Sequence, residues 1–156
     1  MTQSFKQQRG ATLIEVLITV LVMAIGLLGL GATQMLSLKN GNNAHHRFMA
    51  ASAAQDLVER MRANPDGVEL GGYSDKSVNG TESVVSCTAT CSASELANMD
   101  LYEWGQLIDV NLPDAVGTVD VDGAIATISV GWKEQNTQGR SAEATDDSAF
   151  TMQVEL

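Results

Sequence analysis

Between Glu15 and Lys39 the chain carries no charged side chain. Residues 16–38 are apolar except for Thr19, Thr33, Gln34 and Ser37, and about 20 such residues in helix suffice to cross a bilayer core. A secretory signal would be shorter and would end in small residues at a cleavage site, whereas this run is long and leaves through Ala32-Thr33-Gln34. Lys6 and Arg9 precede the span and only Lys39 closely follows it. The excess of cations on the cytoplasmic side then predicts a single-pass protein with a cytoplasmic N-terminus and everything beyond Lys39 outside. Glu15 is the exception at the threshold. A carboxylate at the edge of hydrocarbon is costly and calls for a partner.

The helical period continues past the span. Phe48, Ala51, Ala54, Leu57, Val58 and Met61 recur on one face, with Arg47, Asp56, Glu59, Arg60 and Arg62 on the other. Asp56 and Arg60 have the four-residue spacing of an ion pair. Asn64-Pro65 ends the helix, because the residue before proline is pushed away from helical angles. If Gly41-Asn42-Asn43 is only a weak point, one helix runs from about residue 12 to 63. That is longer than a bilayer is thick, so its outer half must cover a domain with its apolar face. Gly26, Gly29 and Gly31 fit the ordinary glycine content of membrane helices, and Gly26 with Gly29 lacks GxxxG spacing.

The rest reads as a small α+β head. Residues 66–93 are loop-like, with one short strand expected over 82–86. Ser92 and Glu95 have the spacing of a capping box, opening a helix whose apolar residues are Leu96, Met99, Trp104, Leu107 and Ile108. Leu112-Pro113 closes it. Strands over 117–121 and 124–132 flank Asp122-Gly123, a two-residue hairpin signal. In the second, Ala124, Ala126, Ile128, Val130 and Trp132 share a face. Residues 133–148 are polar and predict a long loop, the surface best suited to touch a partner. Phe150, Met152, Val154 and Leu156 alternate as a terminal strand.

Net charge is −10, and from Asp66 onward sixteen acidic side chains face only Lys76, Lys133 and Arg140. Such a head repels phosphate backbones, so nucleic-acid binding is not expected. Cys87 and Cys91 are spaced unlike a Cys-x-x-Cys redox pair, and no second pair completes a zinc site. They read as a short-loop disulfide in an oxidising space, with two unpaired thiols as the alternative. Adjacent His45 and His46 point about 100° apart on a helix and read as solvated. Asp120, Asp122, Asp146 and Asp147 lack the ligand spacing of a calcium loop. No catalytic constellation, cofactor or metal site is expected.

The leader ending in Gly10, followed by Ala11-Thr12-Leu13-Ile14-Glu15-Val16-Leu17, resembles the class III signal of prepilins, and the chain is similar to type IV pilins. The resemblance implies cleavage between Gly10 and Ala11 by a membrane prepilin peptidase and methylation of Ala11. It also implies that Glu15 meets the N-terminal amine of a neighbouring subunit during assembly. Most of the family have Phe or Met where Ala11 stands. The stretch Gln55-Asp56-Leu57-Val58-Glu59-Arg60-Met61-Arg62-Ala63-Asn64-Pro65, with Cys87, Cys91, Glu95-Leu96-Ala97, Asp100, Trp104 and Leu112-Pro113, is similar to minor pilins of the PilV type. The proline-free span and mid-chain cysteines differ from major pilins.

The fold implied is the type IV pilin fold, a long N-terminal helix packed on a small antiparallel sheet with one extra helix. Its parts are a leader (1–10), a membrane half of the helix (11–38), an amphipathic half (39–65) and a periplasmic head (66–156). The function implied is a non-enzymatic minor pilin that helps start pilus assembly at or near the tip. It would work with other minor pilins, the major pilin and the inner-membrane assembly platform. A type II secretion pseudopilin and a pilus-associated adhesin are the rivals.

Overall fold

The computed structural model describes residues 12–84, 90–135 and 145–156. Seven elements follow one another: helix α1 (Leu13–Ala63), helix α2 (Pro65–Glu69), strand β1 (Lys76–Val78), helix α3 (Ala93–Asn111), and strands β2 (Val116–Asp122), β3 (Ile125–Gln135) and β4 (Thr145–Glu155). Contacts divide the chain into two compact units, Met1–Leu38 and Lys39–Leu156.

In the first unit every residue from 12 to 38 is exposed. A helix apolar on all sides has no face to bury in its own chain, which is the condition of a segment meant for lipid or for neighbouring helices. Its hydroxyls are satisfied locally, Thr19 Oγ1 donating to the Glu15 carbonyl at 2.6 Å and Thr33 Oγ1 to the Leu30 carbonyl at 2.8 Å. Nothing lies within 4 Å of a Cβ built on Gly26, Gly29 or Gly31, so no close packing within the chain explains them.

In the second unit the rest of α1 is one wall of the head, and it stays helical through Gly41-Asn42-Asn43. Its buried stripe is Ala50, Ala53, Ala54, Leu57, Val58 and Met61. The sequence pattern had put Phe48 and Ala51 on this face. Phe48 is instead 67% exposed, since it lies about 200° round the helix from Ala50, and Ala51 is only half-buried. Small residues on the stripe let the other elements approach closely.

Asn64 ends α1 and caps α2, its Oδ1 accepting from the Gly67 N–H at 3.2 Å, with Pro65 at the first helical position where its missing N–H costs nothing. The expected loop therefore begins with a helical turn. The expected strand over 82–86 is not found: β1 lies at Lys76–Val78, residues 82–84 are not in a strand, and 85–86 fall outside the described residues. Glu82 is occupied otherwise, its carboxylate accepting from the Asn79 and Gly80 N–H groups at 2.8 and 3.0 Å.

The capping box of α3 is present: Ser92 Oγ accepts from the Glu95 N–H at 3.3 Å, and Glu95 Oε2 accepts from the Ser92 N–H at 2.9 Å. Those donors, backbone first and hydroxyl second, hold the Glu95 carboxyl below its usual range. The buried face of α3 is Ala97, Leu101, Trp104 and Ile108. Leu96 and Leu107 were expected in it but sit one residue, about 100°, off that stripe and are each 37% exposed.

The sheet is antiparallel throughout, in the order β1-β2-β3-β4. Val119, Ala126, Ile128, Val130 and Trp132 face the helices. Asp122 pairs with Ile125, so the two central turn residues are Gly123 and Ala124, one position later than the Asp-Gly signal implies. Gly123 has φ 61°, the requirement of the first central position of a type II′ turn. Ala124 consequently belongs to the turn and is exposed. Phe150, Met152, Val154 and Leu156 pack against the core from its edge, as their alternation predicts.

The expected long loop over 133–148 is shorter. Trp132↔Ser148, Lys133↔Asp147, Glu134↔Asp146 and Gln135↔Thr145 continue the β3–β4 ladder. Polar composition had masked a strand whose inward parity continues past Trp132 to Glu134.

Candidate functional site

The start of α1 is built by Thr12. Its carbonyl accepts from the Glu15 and Val16 N–H groups at 3.0 and 3.3 Å, and its Oγ1 also accepts from the Glu15 N–H at 3.3 Å. Thr12 thus acts as the N-cap. Glu15 falls in the first turn, where the helix dipole favours an anion. Its side chain is exposed, and among the described residues no cation of the chain makes an ion pair with it. Gly10 and Ala11, the expected cleavage and methylation positions, lie outside the described residues. Cys91 is disulfide-bonded, while Cys87 also lies outside them.

Two polar clusters in the head had not been anticipated. In the first, Tyr73 is fully buried and donates its hydroxyl to Asp100 Oδ2 at 2.5 Å. Asn64 Nδ2 donates to the Tyr73 oxygen at 3.1 Å and to the Ala93 carbonyl at 2.9 Å. Arg60 adds Asp56 at 2.8 Å, Glu103 at 2.6 Å and Asp100 at 3.4 Å. The expected Asp56–Arg60 pair is therefore one arm of a junction joining the end of α1 to α3. Burial lowers the Arg60 pKa, but the bonds from Glu103 and Asp56 outweigh it and the net direction is up. Burial, then the bond to Asp100, raises that of Tyr73. Asp100 occupies the helical face of Ala97, Leu101 and Trp104, and that periodicity is the signal that it points inward.

In the second cluster Arg47 grips Glu134 with two bonds, Nε at 2.8 Å and Nη2 at 3.0 Å. Glu134 is buried to 7% exposure. The Arg47 bond holds its carboxyl below the usual range against the opposing effect of burial. His46 lies close enough to act in the same direction. It is half-buried, and its Nδ1 has no hydrogen-bond partner among the described residues, so the expectation of a solvated histidine holds for His45 but not for His46. Because the folded pKa of Glu134 is depressed, the stability it contributes is present above its unfolded value of about 4.3 and is lost as pH falls through the folded value. Glu134→Gln is expected to flatten the decline in urea-unfolding free energy between about pH 5 and pH 3 relative to the wild type. An unchanged acid profile would show that Glu134 does not supply it.

Trp104 and Trp132 are both buried, as expected. No group of histidine, cysteine, aspartate or glutamate among the described residues is arranged to hold a metal ion.

The apolar part of α1, exposed on all sides and with an acid in its first turn, is long and apolar enough to cross a membrane, and an α+β head is built on the second part of the same helix. Residues 5–31 match the prokaryotic N-terminal methylation motif, and residues 32–102 match the family model of type IV pilin Tt1218. Over residues 5–102 the chain is thus similar to type IV pilins, its architecture is the type IV pilin α+β fold, and these matches support a pilin-type structural subunit. The methylation motif implies processing by a prepilin peptidase and assembly with other pilins. No curated protein and no solved structure matches the chain.

Proposed function

We propose that this chain is a minor pilin of the PilV type, which enters a type IV pilus at or near its tip and helps to start assembly. The carrying observation is Glu15, an exposed carboxylate in the first turn of α1 followed by 23 residues without charge. Cleavage after Gly10 frees the Ala11 amine for methylation. The Glu15 of one subunit then meets the ammonium of a neighbour, and each relieves the other's burial in hydrocarbon. Support for the minor subtype is the stretch over 55–65, the proline-free span and the mid-chain position of Cys87 and Cys91, which we pair as a disulfide.

In this reading residues 1–10 are the leader, 11–38 the polymerising half of the helix, 39–65 its amphipathic half and 66–156 the head. Before assembly the chain spans the inner membrane once, with its N-terminus in the cytoplasm and its head in the periplasm. Its partners there are the prepilin peptidase, other minor pilins, the major pilin and the assembly platform.

Mass spectrometry of the mature N-terminus is the first test: a methylated Ala11 is expected, and an intact Met1 defeats the reading. With Glu15→Ala as sole copy, surface pili are expected to fall on the order of tenfold or more, because an ammonium left unpaired in hydrocarbon costs several kcal/mol. The membrane content of the protein should be unchanged. Normal piliation would remove Glu15 from the mechanism. Recovery of the processed chain in secretion filaments would replace a pilus subunit with a pseudopilin.

A further inference from the structure

The outer edge of β4 is open among the described residues. β4 is the last strand of the sheet, and the Leu156 N–H donates to the Ala124 carbonyl at 3.0 Å. Alternation along an antiparallel ladder then turns the N–H and C=O groups of Asp147, Ala149, Thr151, Gln153 and Glu155 away from β3. The Glu155 carbonyl, which accepts from Arg62 Nη2 at 3.3 Å, agrees with that parity. The ladder runs residue for residue from Ile125↔Glu155 to Gln135↔Thr145 without a bulge. No lysine or proline lies on β4, and no charge lies between Asp147 and Glu155. Proteins usually blunt a long edge with one of these devices. The opposite edge belongs to β1, which is only three residues long.

Beside this edge is a groove of about 500 Å³ between α1 and β4, lined by Ser52, Gln55, Val58, Met152 and Val154 together with the charged Asp56, Glu59 and Arg62. An added strand would hydrogen-bond to β4 and turn alternate side chains into the groove. Charge decides what the strand is. A second β4 laid antiparallel about Thr151 would set Asp147 against Glu155 at both ends, and like charges directly opposite are destabilising. The acidic head repels its own copy in the same sense.

We propose that the outer edge of β4 accepts an extended segment of a different pilin-family subunit as a fifth strand. Its groove-facing residues are small or apolar, and it bears lysine or arginine where it passes Asp147 or Glu155. The proposal rests on the reading of the chain as a filament subunit.

The test is amide hydrogen exchange on the full chain, resolved by residue, in detergent micelles and in purified filaments. The Ala149, Thr151 and Gln153 amides are expected to slow by about tenfold or more on assembly. Thr151→Pro removes an outward donor without touching a backbone β3–β4 bond, so its incorporation should fall by about tenfold, while Thr151→Ala, which loses the same 2.9 Å hydroxyl contact with Ser129, incorporates normally. Tryptophan fluorescence of the free variants checks that the head is intact; if Thr151→Pro fails there, exchange in the wild type decides. Equal exchange in micelles and filaments, or equal incorporation of folded Thr151→Pro and Thr151→Ala, overturns the proposal. Protection in the purified chain alone, with dimerisation, assigns the edge to a second copy and overturns it too. Absence of the wild-type chain from filaments overturns the filament reading itself, and the fifth strand with it.

Discussion

Replacing Trp104 by alanine should lower the unfolding free energy of the head by about 3–5 kcal/mol, on the order of 10–20 °C in melting temperature. The indole is fully buried and its Nε1 donates to the Ala53 carbonyl at 2.9 Å, tying α3 to α1. Its ring also lies where a Cβ on Gly117 would come within 2.5 Å of it. That close approach explains a glycine in the middle of β2, a position that ordinarily favours a side chain. Gly117→Ala should therefore cost about 1–3 kcal/mol in the native background and less in Trp104→Ala, where only the flexible end of Ile108, 2.9 Å from that Cβ, still crowds it. Urea titration of the full chain in micelles, followed by tryptophan fluorescence with Trp132 the emitter left in the Trp104→Ala variants, gives the double-mutant cycle. Additive losses would mean that indole and glycine do not meet.

Tyr73→Phe should cost about 1.5–3 kcal/mol, although it deletes a single oxygen. That oxygen donates to Asp100 and accepts from Asn64, so its loss leaves a carboxylate oxygen and an amide facing a ring edge. Asp100→Ala should cost a similar amount, because it strands the hydroxyl while Arg60 keeps Asp56 and Glu103. Asp100→Asn, which still offers an acceptor, should cost less. The double variant should be hardly worse than either single one, since each already breaks the same bond. An alkaline signature accompanies this. The raised Tyr73 pKa gives stability that is complete below the unfolded value of about 10 and is lost as pH rises through the folded value. Tyr73→Phe should lack that alkaline loss, and an identical alkaline profile in the wild type would remove Tyr73 as its source.

Legibility in the sequence followed the strength of the local pattern. The span, the end of α1 at Asn64-Pro65, the capping box of Ser92 and Glu95, and the alternating strands were all readable, because each rests on a rule obeyed within a few residues. The exact buried face was not. Phe48 and Leu96 are apolar enough to be placed inside, but the head selects the small Ala50, Ala53 and Ala97 so that backbones can approach. Glu134 was lost in polar composition although its parity with Trp132 marked it. The junction of Asn64, Tyr73, Asp100 and Arg60 is drawn from segments far apart in the chain, and no local rule brings them together. Glu15 stands apart from all of these. It was conspicuous from the first because an isolated acid beside an apolar run calls for a partner, and among the described residues no cation pairs with it.

The stripe on α1 also sets a schedule. Ala50 to Met61 are synthesised before any residue that covers them, and β4 follows roughly ninety residues later, a delay of about 5–20 s at ordinary elongation rates. Until then the first half of the core exists without the second. The head closes only when its last strand arrives, so its folding waits on β4 rather than on the helix that anchors it.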